Sequence, residues 1–234
     1  MLAICDGDII AYRCAAVTEG LDENLARWQT DELIQRLLAE VGTLDHLIYL
    51  SGDDNFRYTI YPEYKANRPK ERPAHLQAIR KHILTNWESE ITHGYEADDA
   101  LGIHATRAPD EVVICSIDKD LLQIPGIHYN FVKREFTEVT EYDGQLSFYL
   151  SLLVGDATDN IKGCPKIGKV RAGRCLDGTE GSLDSYSRCL AEYIHAYQGY
   201  DKGLEAIKLN GRLLWILRTP DEFWQPPELG VEVL

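Results

Sequence analysis

The sequence predicts an α/β fold: a mainly parallel central sheet with helices on both faces, followed by a helical C-terminal region. Three observations predict it. Short apolar runs of strand character alternate with helical stripes through residues 1–145, which calls for parallel strands joined by crossover helices. Several of those runs end on an acid, and in such sheets ligands sit beyond the carboxyl ends of the strands. Across 146–234 the remaining signal is helical. The expected division is therefore an α/β core over 1–145 and a helical region over 146–234.

Each element has its own justification. Residues 2–5 read as a buried strand ending at Asp6, and 9–17 as the helix that follows. Leu33, Ile34, Leu37, Leu38 and Val41 form a helical stripe within 25–41. Residues 44–50 read as a second strand ending near Ser51, Gly52 and Asp53. Three prolines and many charges make 61–73 an irregular or mobile segment, and Leu76, Ile79, Ile83 and Leu84 mark the next helix. A short strand is expected at 91–94. Glu96, Asp98 and Asp99 then open a helix, where capping accounts for one acid but not for three. Residues 111–117 give the strongest strand signal, ending at Asp118. Another strand follows at 127–131, and 132–139 suits an edge strand or hairpin. Helices are expected at 146–154, 170–176, 183–197 and 204–217. Tyr186, Leu190, Tyr193, Ile194 and Tyr197 make a stripe read as core rather than as a base-stacking ladder.

Composition narrows the function. With 234 residues, 44% hydrophobic and 26% charged, the chain has the makings of a globular protein with a sizeable core. No apolar run approaches the roughly 20 residues of a membrane span. No basic leader precedes residue 2, so a cytoplasmic location is expected. The six cysteines form no CxxC pair and read as reduced, buried thiols. A net charge of −14 argues against a polyanionic partner until its distribution is considered. Arg57, Lys65, Arg68, Lys70, Arg72, Arg80 and Lys81 form one basic island, and Lys162, Lys166, Lys169, Arg171 and Arg174 form another.

Five short acidic clusters punctuate the chain: Asp6 and Asp8; Asp53 and Asp54; Glu96, Asp98 and Asp99; Asp118 and Asp120; Asp156 and Asp159. If they converge, they repel each other unless cations sit between them. Carboxylate oxygens suit hard divalent ions. Two such ions roughly 3.5–4 Å apart can activate water and stabilise a leaving oxygen in phosphodiester hydrolysis.

The same residues carry a family resemblance. Asp6–Gly7–Asp8–Ile9–Ile10–Ala11–Tyr12–Arg13 resembles the first motif of the flap endonucleases and 5′→3′ exonucleases. That family includes the nuclease domain of bacterial DNA polymerase I and the phage exonucleases. Asp53, Phe56–Arg57 and Tyr64–Lys65–Ala66–Asn67–Arg68 resemble its second motif. Residues 95–101, 116–121 and 155–168 resemble the later ones, in order and with similar spacing. The length, and the ending around 212–218, look most like the small phage exonucleases.

The resemblance implies that Asp6, Asp53, Glu96, Asp98, Asp99, Asp118, Asp120, Asp156 and Asp159 hold two Mg²⁺ or Mn²⁺ ions. Asp8 and Asp54 fall outside that ligand set. Lys65 and Arg68 match the catalytic basic pair at the base of an arch or gateway, placed at 61–84, where a cation neutralises charge growing on the scissile phosphate. Tyr12 and Tyr64 match aromatics near the site, either to stack on an unpaired terminal base or to pack in the core. Arg13 and Arg57 are read as phosphate contacts. Gly163, Lys166, Gly168 and Lys169 match a helix–hairpin–helix turn that holds the duplex by its backbone, with K⁺ bridging to a phosphate. Cys164–Pro165–Lys166 departs from the more usual small or valine-containing turn, and the helix after it, with Gly173 inside, looks short; both weaken the expected grip.

The function implied is a monomeric, Mg²⁺- or Mn²⁺-dependent 5′→3′ exonuclease of phage replication. It would act on double-stranded DNA with a free 5′ end, nick or flap, and on RNA–DNA hybrid ends. Three other readings stand beside it. A haloacid-dehalogenase-type phosphatase would use Asp6 as nucleophile, but leaves the later clusters and the glycine turn unexplained. A PIN-type ribonuclease shares the sheet and some acids but is usually shorter and lacks the turn. A non-catalytic DNA-binding scaffold usually loses site acids, and none is lost here.

Overall fold

The computed structural model describes residues 1–69 and 71–229, leaving Lys70 of the first basic island and 230–234 of the helical region outside. Its main sheet contains β1 (Leu2–Asp6), β2 (His46–Leu50), β3 (Ser89–Ile91), β4 (Val112–Cys115), β5 (Gly126–Asn130) and β6 (Glu135–Val139). The strand order is β3-β2-β1-β4-β5-β6, and every pairing is parallel except the antiparallel β5–β6 edge. The strands run outward from β1 to β3, then return to β4 on the other side of β1. That reversal opens a crevice at the carboxyl ends of β1 and β4. Both strands are apolar without alternation because helices cover both faces.

On one face lie α1 (Gly7–Val17), α2 (Glu23–Val41) and α4 (Leu76–Asn86), which bury Ile10, Ile34, Leu37, Ile79 and Ile83. Asp22 caps the start of α2, and Gly42, at φ 79°, ends it in a left-handed turn. On the other face α5 (Ala97–Arg107) packs Leu101 against Ile4 and Ile114, together with Ile216 from near the chain end. The helical region comprises α6 (Glu141–Val154), α7 (Lys169–Leu176), α8 (Ser182–Tyr197) and α9 (Tyr200–Leu214) around Tyr149, Leu152, Tyr186, Tyr193 and Ile207. Its tyrosine stripe is core, as expected, with Tyr193 stacked on Tyr197.

Several expectations shift. The division at 145/146 falls inside α6. The segment after α9 returns to the core, where Leu217 N donates to Asp99 at 3.0 Å. The second half of the 61–84 gateway is α4, fixed in the core. Its first half is irregular but docked: Lys65 N donates to Asp159 O at 2.9 Å, Asn67 Nδ2 to Ala157 O at 2.6 Å, and Asn160 Nδ2 to Glu63 O at 2.8 Å. Short elements too brief for a periodic signal also appear: helix α3 (Phe56–Ile60), a 3₁₀ turn at Asp120–Gln123, and the hairpin of β7 (Gly155–Asp156) with β8 (Ile161–Lys162). No helix among the described residues is long and apolar enough to cross a membrane.

Candidate metal and phosphate site

The site starts at the reversal in strand order. Asp6 ends β1 and caps α1, accepting from Ile9 N at 3.0 Å and from Ser116 Oγ at 2.8 Å. Ser116 follows β4, and its hydroxyl also accepts from Asp118 N at 3.0 Å. One hydroxyl thus joins the two strand ends. Asp118 in turn accepts from Asp120 N at 2.8 Å. The first turn of α5 contributes Asp98, its N-cap contributes Glu96, and the β7–β8 hairpin contributes Asp156 and Asp159.

Glu96, Asp98, Asp120, Asp156 and Asp159 line one cavity of about 30 Å³, alongside apolar Ile161, Leu213, Leu214 and Ile216. That is room for roughly two water-sized spheres. Apolar walls raise the cost of bare charge. Burial, then the neighbouring charges of Asp8 and Asp118, pushes Asp6 up to about 7 despite its hydrogen bonds. Burial and Asp118 likewise push Asp120 up to about 7. Asp98 is held well above the ordinary carboxylate range by burial and by Asp6, Asp118 and Glu96.

The opposite wall is compensated. Lys65 Nζ pairs with Glu96 and lies 3.7 Å from Asp159, and Arg68 pairs with Asp159. The buried Tyr64 hydroxyl stands 2.7 Å from Glu96 and 2.9 Å from Asp159. Burial alone would raise Glu96, yet Lys65 and Arg57 together hold it below its ordinary value. Lys119, unassigned on sequence despite lying between two site acids, reaches 3.5 Å from Asp120 and 3.9 Å from Asp156.

The donor set fits hard cations: it is all oxygen, and burial together with neighbouring acids makes bare charge on Asp6, Asp98 and Asp120 costly. Among the described residues no group of three such side chains stands close enough to hold one ion together; the acids ring the cavity instead.

Five predicted site residues have surroundings that the sequence did not foretell. Asp99 is fully buried, and its two oxygens accept from Arg57 Nη1 (2.6 Å), Arg57 Nη2 (2.9 Å), Glu96 N (3.1 Å) and Leu217 N (3.0 Å). Four donors use the lone pairs a metal would need. Arg57 is equally committed, donating also to Leu213 O and Trp215 O, so it anchors the chain end instead of meeting phosphate. Tyr64 is too buried to stack on a base. Asp53 is exposed after β2, and no described hydrogen bond or ion pair ties it to the cavity. Gly163 serves packing: a Cβ there would lie 2.3 Å from Val154 C and 2.4 Å from Gly155 N.

The remaining positions are accessible. Tyr12 is 48% exposed, and with Arg13, Arg68, Arg72 and Ile117 it lines a groove of about 620 Å³ beside the site. Lys166, Gly168 and Lys169 are exposed at the start of α7. The phosphatase reading needs Asp8 as its acid, and Asp8 is instead paired with Arg80 and accepts from Ser51 N.

A family model described as the 5'-3' exonuclease, N-terminal resolvase-like domain, matches residues 1–146. A 5'-3' exonuclease of Buchnera aphidicola is 28% identical over 190 residues, covering 71% of this chain and 66% of that protein. DNA polymerase I of Bacillus caldotenax is 28% identical over 205 residues, covering 75% of this chain and 23% of its own length. The chain thus spans a quarter or less of the length of the polymerase relatives. The T5 D15 protein co-crystallized with metal ions superposes with a TM-score of 0.63 at 19% identity, covering 91% of this chain and 94% of that one. The catalytic core of Rad2 in complex with DNA substrate gives 0.53 at 14% identity, covering 86% and 66%. At these identities the superpositions establish the fold.

Proposed function

The chain belongs to the 5'-3' exonuclease family through its N-terminal resolvase-like domain, and on that premise we propose a divalent-metal-dependent 5′→3′ exonuclease of duplex DNA that also cuts 5′ flaps and RNA–DNA ends. One observation carries the reading: a small cavity ringed by five carboxyls, of which Asp98 and Asp120 are raised by burial and by neighbouring acids, with Lys65 and Arg68 on its rim. Asp6, Asp98, Asp118, Asp120 and Asp156, with Glu96 and Asp159 opposite, would hold two Mg²⁺ or Mn²⁺ ions. When bound, such ions lower the pKa of an attacking water and stabilise the leaving 3′ oxygen.

The chain's own groups do the rest. Lys65 and Arg68 meet the charge that grows on the scissile phosphate. Tyr12 offers an exposed ring for a terminal base. Lys166, Gly168 and Lys169 hold the duplex backbone without reading sequence, and a K⁺ ion held at that turn would add positive charge toward the phosphates. We place this monomer in the cytoplasm of an infected cell, at replicating phage DNA.

Assays on 5′-labelled duplex, nicked, flap and RNA–DNA substrates test the proposal. Release of 5′-phosphorylated products from the 5′ end is expected only with Mg²⁺ or Mn²⁺. Cleavage that persists in chelator, or that is confined to single-stranded RNA, would overturn it.

A further inference from the structure

We propose that Ser51 is a positioning residue for the metal site, a role that rests on the two-metal reading above. Ser51 lies one residue beyond β2 and touches neither the cavity nor its rim cations. Its hydroxyl accepts from Ala97 N at 2.9 Å. That N–H is one of the donors left without an intrahelical partner at the start of α5. Ala97 sits between Glu96 and Asp98, so this hydrogen bond fixes the turn of backbone from which both acids project.

Ser51 is itself held from both sides. Its N–H donates to Asp8 Oδ2 at 3.0 Å, and its carbonyl accepts from Arg80 Nη2. Arg80 Nη1 closes the ring on Asp8 Oδ1. The ring joins the first turn of α1, the end of β2 and the middle of α4. The next residue tightens the link, because a Cβ on Gly52 would lie 2.3 Å from Thr92 O, so β2 and the loop before α5 approach without space between them. Asp8 and Arg80 therefore form a frame that presents one hydroxyl to the helix bearing Glu96 and Asp98. Partners that orient metal ligands in this way are commonly worth 10- to 100-fold in metal affinity.

The test is charge-neutral. Metal-free wild type, Ser51→Ala and Ser51→Thr are titrated with Mn²⁺ by calorimetry, and kcat and KM are measured on nicked duplex. Ser51→Ala is expected to bind Mn²⁺ about tenfold more weakly. Its kcat should fall while KM for DNA holds, and Ser51→Thr, which keeps the hydroxyl, should stay within about twofold of wild type. A lower melting temperature with unchanged Mn²⁺ affinity in Ser51→Ala would overturn the role, leaving an ordinary helix contact. Absence of Mn²⁺ binding in wild type would overturn the two-metal reading itself.

Discussion

The two walls of the cavity treat the same functional group in opposite ways. On the wall built from β1, β4 and the start of α5, Asp6, Asp98 and Asp120 crowd one another and sit well above the usual carboxylate range. On the facing wall, Glu96 and Asp159 are neutralised by Lys65, Arg68 and the Tyr64 hydroxyl, and Glu96 sits below its usual value. The first wall has only the exposed Lys119 nearby, 3.5 Å from Asp120, while the other carries its own half-buried cations. Those built-in cations are also the groups proposed to hold the scissile phosphate, so ions entering the cavity would compete with them and free them for substrate.

The Arg57–Asp99 pair extends the compensated wall into the interior, 3.8 Å from Glu96, and gives the largest expected effect. Arg57→Gln leaves Asp99 buried without its charge partner. It should cost about 3–5 kcal/mol of stability, read by urea unfolding in chelator. A cost below about 1 kcal/mol would mean that compensation does not hold this wall together.

The uncompensated wall should respond differently. Asp98→Asn removes a proposed ligand and a repulsion at once. Cleavage should fall by about 10²–10³-fold, the scale of losing one preorganised electrostatic contact. The melting temperature without metal should hold or rise, while the rise on adding Mg²⁺ shrinks. A marked drop in metal-free stability would break the contrast between the walls.

The same contrast sets a pH dependence. Asp6 and Asp120 bind protons more tightly folded than unfolded, with folded values of about 7 against 3.8. Their contribution is fully present below pH 3.8 and is lost as pH rises through 7. The metal-free protein should therefore melt a few degrees higher at pH 5.5 than at pH 7.5, at about 2–4 °C per kcal/mol for this size. Saturating Mg²⁺ should flatten or reverse the slope, because ions replace the protons. A metal-free slope of opposite sign would mean that these acids are not short of positive charge.

Lys65→Met probes the compensated wall from inside. Removing its ammonium should tighten Mn²⁺ binding about fivefold, equivalent to roughly 1 kcal/mol from one screened charge, while turnover falls. Equal or weaker Mn²⁺ binding, by calorimetry, would show that Lys65 does not compete with the ions.

Much of this was legible in the sequence, for identifiable reasons. The apolar runs before Asp6 and Asp118 are long enough to announce strands, so the acids at their ends could be placed together. Residues 111–117 carry a continuous apolar run and α2 a periodic stripe, and both elements formed, the strand over the shorter span Val112–Cys115. What stayed hidden depends on side-chain partners far along the chain. Nothing near Asp99 foretells that Arg57 and the amide of Leu217 would saturate it, since those partners lie 42 and 118 residues away. Asp53 looked like a ligand from its place after a strand, but the carboxyl ends exposed past the turn at Gly52. Ser51 carried no signal for a positioning role, because a single serine at a strand end is ordinary until α5 is seen to start beside it.

The last contrast is in the backbone. Lys65 and Lys166 both adopt left-handed conformations, at φ 57° and 65°. Lys65 is held there by the hydrogen bond from its amide to Asp159 O and by its ion pair with Glu96, so its conformation belongs to the compensated wall. Lys166 is an exposed residue at the apex of the turn before α7. A side chain in that region costs about 1–2 kcal/mol, which glycine avoids. Glycine's freer unfolded chain takes back part of the gain. Lys166→Gly should therefore stabilise the protein by at most about 1 kcal/mol. Duplex binding should lose one phosphate contact, seen as a salt slope shallower by about 0.9. A lower melting temperature would place Lys166 with Lys65, as a strained residue held by its surroundings; an unchanged salt slope would take the turn out of the DNA interface.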